Sequence, residues 1–103
     1  MKVTYDNKKK ELKLQITEEI DQYMAEKIRN RADFEIQKYM PKRVLMDFEN
    51  VSFMDSAGIG MILGRYKTAK LIGGTFNICN VAPRVKKVLE MSGALKIIQI
   101  VEE

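Results

Sequence analysis

The sequence contains no histidine. That absence removes Ser-His and Cys-His nucleophile pairs, histidine acid–base chemistry and most zinc sites. Carboxylates, lysines or a bound cofactor are what remains for catalysis. There is one cysteine, Cys79, so no disulfide can close within the chain. It lies in the apolar run Phe76-Asn77-Ile78-Cys79 and reads as a small core residue. No apolar run approaches the roughly 18–20 residues that span a bilayer. The stretch Met1-Lys2-Val3-Thr4-Tyr5-Asp6 lacks the apolar core of a signal peptide. The expectation is a cytoplasmic protein without a membrane segment, and a monomer by default.

What is present suits one domain over residues 1–103. The hydrophobic share is 46% and the charged share 31%, ordinary values for a folded chain with a soluble surface. The net charge of +4 is unevenly placed. Residues 1–55 carry eleven basic and eleven acidic side chains, whereas 56–103 carry seven and three. The excess falls at Arg65, Lys67, Lys70, Arg84, Lys86, Lys87 and Lys96. It is modest and not interleaved with aromatics, so a solvated helix face is expected rather than a nucleic-acid surface.

The apolar pattern gives the order β-β-α-β-α-β-α-β. Val3-Thr4-Tyr5 and the alternating Leu12, Leu14 and Ile16 form a hairpin around Asp6-Asn7-Lys8, with Asn7 suited to a left-handed position. The lysines Lys8-Lys9-Lys10 at its tip read as solvated. Asp21 suits a helix N-cap. Ala25, Ile28, Ala32, Ile36 and Tyr39 then share one face of a helix from Gln22 to Met40, which Pro41 ends. Val44–Phe48 is a compact strand, and the strand–helix–strand unit predicts a parallel pair with a right-handed crossover.

A second helix is predicted from about Ala57 to Ile72, with Ser56 as its N-cap. Its apolar side is formed by Ile59, Ile62, Leu63, Tyr66, Ala69 and Leu71, and Gly73-Gly74 stop it. Phe76–Cys79 is a strand. Pro83 opens a third helix with Val85, Val88, Leu89 and Met91 facing inward, and Gly93 closes it. Ile97, Ile98, Ile100 and Val101 make a last strand. The fold class is therefore α/β, a mostly parallel sheet with an antiparallel N-terminal edge strand and helices packed on it.

Function in such sheets collects beyond the carboxyl ends of the strands. Asp21, Asp55 and Ser56 should meet there. Three roles compete for Ser56: helix cap, nucleophile and phosphorylation acceptor. The run Asp55-Ser56-Ala57-Gly58 is not a nucleophile elbow, and no histidine exists to take a proton. A phosphate at a helix N-terminus is received by free N–H groups and the helix dipole. It also adds about −1.5 to −2 charge beside Asp55 and Asp21. At ~6 Å each unit pair costs about 0.7–2.8 kcal/mol. A partner matched to the bare serine would lose about tenfold or more in affinity. The glycines at 58, 60 and 64 invite a competing nucleotide reading. Their spacing is Gly-x-Gly-x-x-x-Gly, without the later acidic residue of a dinucleotide fingerprint or a Gly-Lys-Ser/Thr. Close packing beside a flat partner surface is the alternative, with Ile59 as an apolar anchor if exposed.

The run Val51-Ser52-Phe53-Met54-Asp55-Ser56-Ala57-Gly58-Ile59-Gly60 resembles the phosphorylation signature of the STAS family of bacterial anti-sigma factor antagonists. Ile62-Leu63-Gly64-Arg65-Tyr66-Lys67, Met91-Ser92-Gly93 and Lys96-Ile97-Ile98 are similar to its sporulation branch, which acts on anti-sigma F factors. The resemblance implies a regulator, not an enzyme. The unmodified antagonist binds an anti-sigma factor that is also a serine kinase and so frees the sigma factor. Phosphorylation on Ser56 ends binding, and a separate serine phosphatase restores it. General stress regulators share the signature. The resemblance also places Asp21 near the serine and Ile59 and Gly60 on the partner-facing surface. The expected partner-facing set is thus Asp21, Asp55, Ser56, Ala57, Gly58, Ile59 and Gly60. No metal or cofactor is implied, with weak nucleotide binding reported in some members. Two departures stand out. Glu18-Glu19-Ile20-Asp21 lacks the family's glycine before the Glu-Leu-Asp run. The last strand is also not followed here by the further helix common in relatives, which predicts a thinly covered sheet face.

Overall fold

The alternation of Leu12, Leu14 and Ile16 sets the register of the whole sheet. In a computed structural model, which describes residues 1–102, β1 (Lys2–Asp6) pairs antiparallel with β2 (Glu11–Gln15). The remaining strands, β3 (Arg43–Asp47), β4 (Thr75–Cys79) and β5 (Gln99–Val101), add in parallel, so the order β1-β2-β3-β4-β5 follows the chain. Between them run α1 (Gln22–Tyr39), α2 (Ser56–Leu71) and α3 (Pro83–Met91), with a 3-10 turn at Ala94–Lys96. Right-handed crossovers that always step the same way lay all three helices on one face. On that face Leu12, Val44 and Phe76 stand in one row, and Leu14, Met46 and Ile78 in the next. These side chains join Ile28, Ile36, Ile62, Val85 and Leu89 in a single core.

The other face carries the row Thr4, Lys13, Leu45, Asn77 and Gln99. It is mostly polar. Leu45 and Cys79 are buried there, apart from the main core.

Several local expectations change. In the hairpin the left-handed residue is Lys10 (φ 55°), not Asn7. Asp6 Oδ1 accepts from the N–H groups of Lys8 and Lys9 at 2.9 and 3.1 Å and so shapes the turn. The α2 cap is Asp55, not Ser56. Leu71 is 86% exposed, and α2 instead buries Gly58, Met61, Ile62, Arg65 and Ala69. Met91 points outward at 80% exposure, while Val85 and Leu89 are the buried residues of α3. The final strand begins only at Gln99. Ile97 and Ile98 close the 3-10 turn by donating to Ala94 O, and Ile98 is buried from there.

Arg65 also leaves its expected place on a solvated face. It is buried where α2 packs on α1, with Nε 2.9 Å from Asp33 Oδ1, an ion pair whose N–H does not point at the oxygen. Burial pulls the guanidinium down from its usual range; Asp33 opposes this and Arg29 adds to it.

Candidate functional site

Two loops leave the carboxyl ends of β2 and β3 and are tied to each other. Ile20 N–H donates to Phe53 O and Asp55 N–H to Ile20 O, both at 3.0 Å, a short parallel bridge outside the main sheet. The bridge sets the next residue of each loop beside the other. Those residues are caps. Asp21 Oδ1 accepts from Met24 N–H at 2.8 Å at the start of α1. Asp55 Oδ1 accepts from Ala57 N–H at 2.9 Å at the start of α2. Asp55 has extended backbone geometry (φ −90°, ψ −177°), which leaves Ser56 as the first helical residue.

Ser56 is exposed, and its hydroxyl has no hydrogen-bond partner among the described residues. A helix's first turn has unpaired N–H groups and the positive end of the dipole. The hydroxyl therefore sits at a site favourable to an anion, with the Asp55 carboxylate next in the chain.

The expected set divides by direction. Asp21 and Gly60 are exposed, and Asp55, Ala57 and Ile59 are half-buried. Gly58 turns inward and is buried. A Cβ there would come within 2.4 Å of Met54 Cγ, 2.5 Å of its sulfur and 3.2 Å of Ile20 Cγ2. Gly58 is therefore a spacer that lets α2 start over the bridge. At Gly60 a Cβ would meet nothing within 4 Å, so the fold itself does not require that glycine. An open cleft of about 420 Å³ lies beside it, lined by Gln22, Glu26, Arg29, Ala57, Gly60 and Met61.

Sequence reasoning missed two carboxylates. Glu19 accepts from Ser52 N–H at 2.8 Å, from Phe53 N–H at 3.2 Å and from the Ser52 hydroxyl. These bonds, the hydroxyl's first, hold its carboxyl below the usual glutamate range. Asp47, 1% exposed at the end of β3, accepts from Glu49 N–H at 2.9 Å and Asn80 Nδ2 at 3.0 Å, with Lys13 Nζ 3.7 Å away. It ties the exit of β3 to that of β4 and sits beside Lys13 in the middle of β2. Nothing in the local pattern announces either role. Both depend on partners about thirty or more residues away along the chain. Among the described residues no group of three or more acidic or cysteine side chains could hold a metal ion. No helix there is long and apolar enough to cross a membrane.

The sequence model of the STAS domain matches residues 2–103. Over 87 residues the chain is 37% identical to an anti-sigma F factor antagonist of Paenibacillus polymyxa, covering 84% of this chain and 74% of that protein. An anti-sigma-B factor antagonist of Bacillus subtilis (strain 168) is 29% identical over 102 residues, covering 97% and 92%. The solved anti-sigma factor antagonist SpoIIAA in its unphosphorylated form superposes with a TM-score of 0.82 at 25% identity, covering 99% of this chain and 86% of that one. Bridged loops, paired helix starts and a near-complete sequence match converge, and this chain belongs to the STAS domain family.

Proposed function

We propose that this protein is an anti-sigma factor antagonist whose partner-facing surface is centred on Ser56 and is switched off by phosphorylation of that residue. One observation carries the reading: the Ser56 hydroxyl is exposed and, among the described residues, without a hydrogen-bond partner, at a helix start that another residue caps. The fold does not use this hydroxyl, so a phosphate there leaves the structure intact. The same phosphate lies beside Asp55 and near Asp21, where added negative charge alters the surface most. The names borne by the relatives of 37% and 29% identity support the antagonist class. The partner is then an anti-sigma factor with serine kinase activity, and a serine phosphatase resets the switch. The chain itself is a binding protein, not an enzyme. The greater identity to an anti-sigma F antagonist favours sporulation over general stress as the process controlled.

Incubation with an anti-sigma F factor and ATP tests the acceptor. The parent should gain one phosphate and Ser56→Ala none; equal labelling of both ends the assignment. Ser56→Asp should melt within a few degrees of the parent and bind the anti-sigma factor about tenfold or more weakly. Unchanged affinity by calorimetry removes charge gating.

A nucleotide site is the second reading, resting on Gly60 and Arg29 in the cleft between α1 and α2. Equilibrium dialysis with labelled GTP and ATP decides it. Saturable binding lost in Gly60→Asp would support it.

A further inference from the structure

We propose that Glu19 is a positioning residue, holding the loop before α2 so that Phe53 and the turn into Ser56 face a protein partner. The proposal rests on the reading of Ser56 given above and adds the group that fixes its approach. The loop has two buried anchors, Val51 and Met54. Between them Ser52 and Phe53 are exposed. Both of their N–H groups go to the same Glu19 oxygen, and the Ser52 hydroxyl goes to the other. Among the described residues no strand ladder supplies those N–H groups with another acceptor. Glu19 is exposed, so it contributes nothing to the core. What it fixes is direction, from a loop 33 residues earlier in the chain. The neighbouring bridge bonds then hold Phe53 O and Asp55 N–H against Ile20. With its backbone held on both sides, Phe53 stands 44% exposed, three residues before the acceptor serine. An exposed aromatic side chain carried on a fixed backbone is the kind of group enriched in protein interfaces. Without the carboxylate, both amides would turn to water and the backbone that carries the ring would lose its fixed position.

Amide exchange by NMR and phosphorylation by an anti-sigma F factor with ATP, on the full chain, test this together. Glu19→Ala should speed exchange at the Ser52 and Phe53 amides by about tenfold or more, leaving the β3 and α2 core amides unchanged. It should lower kcat/KM at Ser56 by a similar factor. Glu19→Gln keeps an acceptor and should recover part of both effects, which a loss of negative charge alone would not allow. Ser52→Ala should have a smaller effect, since its N–H bond survives. Unchanged exchange in Glu19→Ala overturns the proposal. So does faster exchange with unchanged kcat/KM. A parent that is not phosphorylated sinks the reading of Ser56 and the partner-facing role with it, and leaves exchange to judge the loop anchor alone.

Discussion

Gly58 and Gly60 are two residues apart and do opposite things. Gly58 gives α2 clearance over Met54 and Ile20, while Gly60 leaves empty space beside a cleft. Adding a methyl at 58 forces a buried methionine to move and should destabilise by about 1–3 kcal/mol. Adding one at 60 fills no occupied space and gains helix propensity, so Gly60→Ala should stabilise by about 0.5–1 kcal/mol. Urea unfolding of the two variants checks the contrast; equal signs would mean that α2 starts elsewhere. The motif around Ser56 made the glycines visible in the sequence but not their directions. Direction depends on where Met54 sits, and Met54 is placed by a bridge to a residue in another loop.

At the scale of the element, the start of α2 shows which parts of a helix can be read in advance. Asp55 and Ser56 are adjacent and both make good caps, so composition alone cannot choose between them. The bridge decides, because it holds Asp55 in extended geometry and leaves Ser56 the first helical position. Asp55→Ala should therefore cost about 0.5–2 kcal/mol, while Ser56→Ala should be close to neutral, as thermal unfolding can show. Helix periodicity likewise located α1 and the buried Ile28, Ala32 and Ile36, since an apolar stripe records its own burial. It misplaced Arg65, because a cation reads as solvent-facing until its partner on the next helix is known. It misplaced Met91 as well, since an apolar residue at the right spacing can still face outward at the end of a short helix.

Across the whole molecule, the succession of elements and the strand directions were legible because each β-α-β unit follows the previous one with short connections; the order of the strands in the sheet came from the structure. The ties between units were not legible, and most are carboxylates. Glu18 and Glu19 both titrate below the usual glutamate range. For Glu18 the Thr17 hydroxyl is the largest cause, against burial, with the N-terminal ammonium adding to the lowering. A carboxyl held lower in the folded than in the unfolded chain contributes its stability above the unfolded pKa. That contribution is lost as pH falls through the folded one. Glu18→Gln with Glu19→Gln should flatten the acid limb of the stability profile below the ordinary glutamate pKa, leaving its shape near neutrality alone. A parallel limb in the variant would show that other groups carry it. The order of strands has a separate consequence. β1 and β5 lie on opposite edges, about 19 Å apart. Each strand borders only its neighbours in the sequence. A chain leaving the ribosome thus offers every new strand an edge that already exists. No late strand has to be threaded between two earlier ones, and the sheet can grow in the order in which it is made.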